Sequence, residues 1–342
     1  MTKKIIVTGS SGFIGRWVVA QLKKEGYQVI GLDKIEPVAS IIMDEHIVCN
    51  ILDRDLLTSE VRRVAPDALI HLAARVDLDE TTDINGYADN IDGVHNVIEA
   101  VRQTPSIRRA IYTSSQLVCR IGYVPDSDTD YCPNTLYGQS KVLTETIVRE
   151  KDGGGIEWCL TRPTTVWGPY MSTHYQKMLS FIQRGLYFHA GKAKLNKSYG
   201  YAGNIAYQYS RLLTADAKSI NRKTYYMSDY QPLSLREYTD GLAQAMGARR
   251  ILTLPLFLAR LLAVTGDVLN TVGLRRFPFN SFRLNNILTE YVFDLSRMKS
   301  VCGLLPFTQE HGIKQTAEWF LSINEVKNTS SSHAPSSSRK ER

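Results

Sequence analysis

The stretch Thr8-Gly9-Ser10-Ser11-Gly12-Phe13-Ile14-Gly15 constrains the fold more than any other part of the chain. It follows an apolar β-type run, Ile5 to Val7, and leads into Phe13 to Lys24, where Ile14, Trp17, Val18 and Leu22 share one face at helical spacing. A buried parallel strand, a tight turn and a helix are therefore expected. Small residues at Gly9, Ser11, Gly12 and Gly15 let the backbone approach a pyrophosphate, whose charge is favoured at a helix N-terminus. Gly9 serves the turn, Gly12 the approach and Gly15 the packing of helix on strand, with Phe13 and Ile14 opening the helix.

Asp33 stands 18 residues beyond Gly15, at the end of a second strand from Gln28 to Leu32. A carboxylate there hydrogen-bonds the adenosine ribose and repels a ribose phosphate, which favours NAD over NADP, although Lys34 could partly offset the repulsion. Further strands are expected at His46 to Cys49, Ala68 to Leu72, Arg109 to Thr113 and Glu157 to Thr161, with helical patterns between them. Such alternation describes an α/β fold, a doubly wound parallel sheet whose ligands lie beyond the carboxyl ends of its strands. After Pro169 the alternation blurs, and a helix over Lys197 to Leu213 followed by a strand over Lys223 to Met227 is expected to return to the sheet. The predicted organisation is a dinucleotide-binding domain over 1–168 and about 197–228, interleaved with a smaller substrate domain over about 169–196 and 229–325. The serine-rich stretch 327–342 lacks the apolar residues needed to offset ordering entropy and is expected to be a disordered tail.

Tyr137 and Lys141 lie four residues apart on a predicted helix, hence on one face. An ammonium beside a phenol lowers its pKa towards neutrality, making Tyr137 an acid/base. The pairing is common on ordinary helices and gains meaning only downstream of a dinucleotide turn.

The TGxxGxxG spacing together with Tyr137 and Lys141 resembles the extended short-chain dehydrogenase/reductases, specifically the NAD-dependent epimerase/dehydratase branch, over Lys4 to about Phe320. The resemblance implies a Rossmann-type fold and several further positions. Tyr112-Thr113-Ser114-Ser115-Gln116-Leu117-Val118 is similar to the strand end that carries the catalytic hydroxyl, which falls on Ser115. Asn50-Ile51 looks like the adenine-contacting stretch, with Asn50 where an Asp is usual. Leu72, Ala73 and Ala74 match the segment lining the cofactor after the fourth strand, and Asn90 the helix Asn that supports the site. Arg162-Pro163-Thr164-Thr165-Val166-Trp167-Gly168-Pro169 resembles the loop lining the nicotinamide pocket, so Pro163 and Val166 join the cofactor positions. By this resemblance Tyr137 exchanges a proton with a substrate oxygen, Ser115 orients that oxygen, and Lys141 holds the nicotinamide ribose while hydride passes between substrate and NAD.

Gln116 and Leu117 occupy positions where dehydratases and decarboxylases of this branch carry an acid, so elimination and decarboxylation are disfavoured. A 4-epimerase or a ketoreductase acting on a nucleotide sugar is expected, with surface polysaccharide synthesis as the implied setting. Thr165 and Lys197 depart from the Asn and Arg of well-known uridine-diphosphate-sugar epimerases, and Arg275, Arg276 and Arg283 form a basic group suited to a diphosphate. Gln116, Thr165, Lys197 and Arg283 are thus the candidate substrate residues. Two other readings stay open. One is an oxidoreductase like 3β-hydroxysteroid dehydrogenases or flavonoid reductases acting on an apolar alcohol; the other is an NAD-binding regulator without turnover.

The net charge of +7 is scattered, without basic runs interleaved with aromatics, so a small anionic ligand suits it better than nucleic acid. Five cysteines without CxxC spacing suggest neither disulfides nor a metal site, and the N-terminus lacks a signal-peptide pattern, so a cytoplasmic protein is expected. The apolar segment Ile251 to Val264 is too short and too interrupted to span a membrane; it is expected to pack inside the second domain, with a lipid-facing or apolar-substrate surface as the alternative. The resemblance also carries a homodimer as the expected assembly.

Overall fold

The computed structural model describes residues 3–37, 41–271 and 279–332. They belong to two compact units, the first comprising Met1–Trp167, Leu195–Leu233 and Asn285–Phe307, the second Gly168–Lys194, Ser234–Leu284 and Thr308–Arg342.

The first unit is built on β1 (Lys4–Thr8), β2 (Gln28–Asp33), β3 (Glu45–Val48), β4 (Ala68–His71), β5 (Arg109–Thr113), β6 (Glu157–Pro163) and β11 (Lys223–Met227). These seven strands form one parallel sheet in the order β11-β6-β5-β4-β1-β2-β3. The period-two alternation of strand side chains divides the core between its two faces. Ile6, Leu69, Tyr112 and Leu160 point to the layer of α2 (Arg54–Val64), α3 (Ala88–Arg102) and α4 (Leu136–Glu150). Ile5, Val7, Ile70 and Cys159 point to α1 (Phe13–Lys24), α6 (Ala202–Thr214) and α11 (Ser296–Cys302). Because both faces are covered, the strands are apolar throughout and not alternating. The strand order reverses between β1 and β4, where Thr8 is in register with Leu32 on one side and His71 on the other. The loops leaving these strands bound the crevice in which ligands of such sheets bind.

Short elements complete this unit: β7 (Thr165–Trp167), β9 (Asn196–Lys197), β10 (Tyr199–Tyr201), α7 (Ala217–Ile220) and β12 (Leu233–Ser234). Three differences from the sequence expectation fall here and at the C-terminus. Lys197 to Tyr201 is extended, because the backbone of Tyr199 to Tyr201 pairs with Thr165 to Trp167; the helix starts at Ala202. Residues 285–307 belong with the sheet and not with the second unit, contrary to the expected boundaries. Ser198 N–H donates to Tyr291 O (2.9 Å), and Met298 and Cys302, one turn apart, fill the α1/α6 layer. The expected tail begins as helix through Ser332, since propagating an existing helix gains a bond per residue fixed; 333–342 lie outside the described residues.

The second unit contains α5 (Thr173–Gln183), β8 (Phe188–Ala190), α8 (Leu235–Ala245), β13 (Leu252–Leu254), α9 (Leu256–Thr271), the first half of α10 (Ser281–Leu288) and α12 (Gln309–Ser332). β8 and β13 pair in parallel, and Phe188 meets Phe279 edge-on at 5.2 Å. The expectation that Ile251 to Val264 is packed inside fails on α9. Its small residues Ala259, Ala263 and Gly266 are buried, while Phe257, Leu261 and Val264 are exposed. Small side chains facing inward permit close approach to the unit, which turns the large ones out. No helix among the described residues is long and apolar enough to cross a membrane.

Candidate active site

The glycine turn sits at the switch point, and its glycines are needed sterically. Gly9 has φ +72°, and a Cβ there would lie 2.6 Å from Ala73 N; one at Gly15 would lie 2.0 Å from Gly9 O. Gly12 caps α1 without a side chain, leaving the first N–H groups of that helix to a ligand. Beneath the turn, Thr8 Oγ1 accepts from Leu72 N (3.2 Å) and Ala73 N (3.3 Å), so its own proton goes to His71 Nδ1 at 2.8 Å. Burial pushes His71 down to about 3, keeping it the neutral acceptor this arrangement needs. The stitch between β1 and β4 joins Thr8, the first residue of the glycine-rich stretch, to His71, which lies outside it.

Asp33 ends β2 with its carboxylate over the turn: Oδ2 accepts from Ser11 N (3.0 Å) and Oδ1 from Ile35 N (3.2 Å). Lys34 does not turn back on it. Its ammonium pairs with Asp89 at 2.8 Å, so the offset expected from Lys34 is directed to another carboxylate. Asn50 is exposed with Oδ1 accepting from Leu52 N, while the neighbouring Ile51 is buried against Gly93. A backbone cradle that no Cβ could share, a helix N-terminus and a strand-end carboxylate together fit the pyrophosphate and ribose of a dinucleotide.

Asn90 is 1 % exposed and acts as a clamp. Its amide exchanges two hydrogen bonds with the backbone of Arg75 (2.9 and 3.0 Å) and donates to Ser140 Oγ (2.9 Å), which donates to Tyr137 O (2.7 Å). The loop after Leu72-Ala73-Ala74 is thereby tied to α4, whose start is set by Thr135 Oγ1 capping Gly138 N (3.0 Å).

α4 brings Tyr137 and Lys141 to the ends of β5 and β6, and Ser115 follows β5 as the first residue of a short turn, its Oγ accepting from Leu117 N (3.1 Å). All three are buried. Burial pushes the Tyr137 phenol up to about 12, partly countered by its hydrogen bond with Ser115. Burial likewise pushes Lys141 down to about 8, against the pull of Glu145 one turn on. The expectation that Lys141 lowers the Tyr137 pKa is corrected. Low-dielectric surroundings dominate both groups, and the ammonium is directed to Thr113 O at 3.1 Å. The arrangement holds a neutral phenol, a hydroxyl and a cation in buried surroundings, the requirements for moving a proton to or from a carbonyl oxygen.

Beside Ser115, Gln116 Nε2 reaches Thr165 Oγ1 at a long 3.4 Å, and Thr165 is bonded to Tyr291 OH at 3.0 Å. Gln116 is 8 % exposed, and its Oε1 has no hydrogen-bond partner among the described residues. Tyr291 was missed in the sequence because it lies 126 residues from Thr165 with no motif around it. Lys197 is not offered to a ligand. Its ammonium donates to Asn286 O and to Thr289 O (2.5 and 2.9 Å) and sits 5.0 Å over the Tyr291 ring, so it shapes the segment bearing Tyr291. Pro163 ends β6 and Val166 lies in β7, next to Thr165. Arg283 is exposed on the second unit, where its N–H is capped by Asn280. Arg275 and Arg276 lie outside the described residues.

Residues 5–225 match the model of the NAD dependent epimerase/dehydratase family. A 3 beta-hydroxysteroid dehydrogenase/Delta 5-->4-isomerase of Mycobacterium tuberculosis is 24% identical over 72% of this chain and 70% of its own length. The N-acetyl-alpha-D-glucosaminyl-diphospho-ditrans,octacis-undecaprenol 4-epimerase of Escherichia coli O157:H7 is 23% identical over 93% of this chain and 96% of its own. Among solved structures, the UDP-glucose 4-epimerase of Thermus thermophilus, in complex with NAD, superposes with a TM-score of 0.70 at 19% identity, covering 93% of this chain and 99% of the other, a likeness of fold.

Proposed function

Since this chain belongs to the NAD dependent epimerase/dehydratase family and is an NAD-dependent enzyme of the extended short-chain dehydrogenase/reductase type, we propose that it carries out reversible redox chemistry at a secondary alcohol of a diphosphate-linked sugar, as a 4-epimerase or ketoreductase. The observation that carries this reading is the joint burial of Ser115, Tyr137 and Lys141 at the strand ends, with the unpaired amide oxygen of Gln116 beside them. A buried acceptor left without a donor costs about 1–3 kcal/mol, so the site favours a substrate bearing hydroxyls.

Gly9, Ser11, Gly12, Phe13, Ile14 and Gly15 would hold the pyrophosphate, Asp33, Asn50 and Ile51 the adenosine end, and Leu72, Ala73, Ala74, Asn90, Pro163, Val166 and Lys141 the nicotinamide half. The bound dinucleotide supplies hydride acceptance and donation. Tyr137 keeps its proton at neutral pH and gives it to the substrate oxygen in reduction, taking it back in oxidation. Ser115 orients that oxygen, and Lys141 would hold the nicotinamide ribose. Gln116 and Leu117 cannot move a second proton as a carboxylate would, so elimination is disfavoured.

The carrier of the sugar is a nucleotide or a polyprenol; the latter is supported by the nearly full-length match to the Escherichia coli epimerase. A second reading, oxidation of a 3β-hydroxysteroid-like alcohol, is favoured by the Mycobacterium tuberculosis relative. Mass spectrometry of the nucleotide released on denaturation, with turnover assays on sugar diphosphates and on a hydroxysteroid, tests both. Conversion of a sugar diphosphate supports the first, and turnover of the steroid alone replaces it with the second.

A further inference from the structure

α9 carries its apolar residues on the wrong side for a helix stabilised by the protein core. Phe257, Leu261, Val264 and Val268 recur at four, three and four residues and so form one stripe, and they are 69%, 63%, 54% and 55% exposed. Ala259, Ala263 and Gly266 on the opposite side are buried. Leu252, on the strand leading into the helix, is 75% exposed. A contiguous outward stripe of this kind marks a surface that meets an apolar medium or partner.

Charge says which one. Among the described residues, the second unit holds eleven basic and six acidic residues, a formal +5, whereas the dinucleotide-binding unit holds 25 and 27, a formal −2. The positive excess of the described residues therefore lies in the unit that bears the stripe. Arg249 and Arg250, just before the strand that leads into α9, and Arg260, on the helix, are exposed, and the only acid on the helix, Asp267, accepts from Ser281 N. A second copy of this chain would bring the same positive excess to the contact and be repelled, while an anionic bilayer supplies both the apolar depth and the opposite charge.

We propose that α9 docks this protein on the surface of an anionic phospholipid membrane, lying in the interface plane with Phe257, Leu261, Val264 and Val268 towards the acyl chains and the arginines at the headgroups. At 16 residues the helix is about 24 Å long, enough to lie along a bilayer surface and too short to span it. The docking is independent of the sugar carrier and of the catalytic assignment.

Co-flotation of the full chain with phosphatidylcholine vesicles, with and without about one-third phosphatidylglycerol, tests this, with no substrate present. The protein should float with the anionic vesicles, and markedly less with neutral ones or at high salt. Leu261→Glu/Val264→Glu should weaken binding by about tenfold or more, and Arg249→Glu/Arg250→Glu should remove the preference for anionic lipid. Both pairs are exposed, so thermal midpoint and dinucleotide binding should stay at wild-type values; the arginine pair carries the test if the acidic helix variant fails to fold. Absence of flotation with anionic vesicles, or flotation unchanged in both variants, overturns the proposal. A dimer broken by Leu261→Glu/Val264→Glu without vesicle binding also overturns it, assigning the stripe to self-association. Tyr137→Phe should float like wild type, so failure of the redox reading leaves this result intact.

Discussion

Replacing Glu145 by Ala is the sharpest test of how the site is held. Glu145 and Arg162 are both fully buried, joined by two bonds of 2.7 and 2.8 Å. Glu145 also accepts from Tyr131 OH at 2.9 Å, while Arg162 donates to Asp128 O at 2.6 Å and to Tyr226 OH at 3.1 Å. Removing the carboxylate leaves a guanidinium without its counter-charge in the core, which costs about 3–5 kcal/mol. At about 2.1 cal/mol/K per residue of unfolding entropy, the thermal midpoint of a chain this long should fall by roughly 4–7 °C. Glu145→Met combined with Arg162→Met removes both charges and should recover most of the loss. Since Glu145 also raises the pKa of Lys141, the pH limb of activity set by loss of the Lys141 proton should move to lower pH in Glu145→Ala. Circular-dichroism melts and a pH–rate profile read both effects. A single variant within about 1 kcal/mol of wild type, or a double variant less stable than the single, refutes the argument.

Tyr137→Phe should lower kcat by at least about a hundredfold with NAD binding nearly unchanged, as read by steady-state rates and calorimetric titration, because the hydroxyl serves the substrate. Gly15→Ala should abolish dinucleotide retention, the new Cβ falling 2.0 Å from Gly9 O; NAD retained through gel filtration would contradict this steric reading. Asp33→Ala removes the acceptor of Ser11 N and should narrow the affinity gap between NAD and NADP, measured by fluorescence titration; an unchanged gap would count against the role of Asp33. Lys141 and Lys197 are both pushed down to about 8, so between pH 8 and 10 the unfolded chain binds more protons than the folded one and stability should rise with pH. Urea midpoints at the two ends of that window should show a smaller rise in Lys141→Met than in wild type.

The sequence pointed to much of the candidate site because its parts obey local rules. Gly9, Gly12 and Gly15 are spaced by a turn, Asp33 by a strand end, and Tyr137 and Lys141 by one helical turn, so each implies its neighbour without knowledge of the rest. The reading of Ser115 depended on a family resemblance, and its contact with Tyr137 is made only when α4 folds over β5.

The alternation of strand and helix along the chain determined the parallel sheet and the crevice beyond its strand ends. Tertiary structure decided what depends on contacts far apart in sequence: Thr8 with His71, Asn90 with Arg75 and Ser140, Arg162 with Glu145, and Tyr291 with Thr165. It also decided the direction of the pKa shift at Tyr137, because burial is a property of everything packed around a group and not of its neighbours in the chain. The face that α9 turns outward was decided in the same way. Its sequence is apolar nearly all round, and only packing on Ala259, Ala263 and Gly266 selects which side is left to the surroundings.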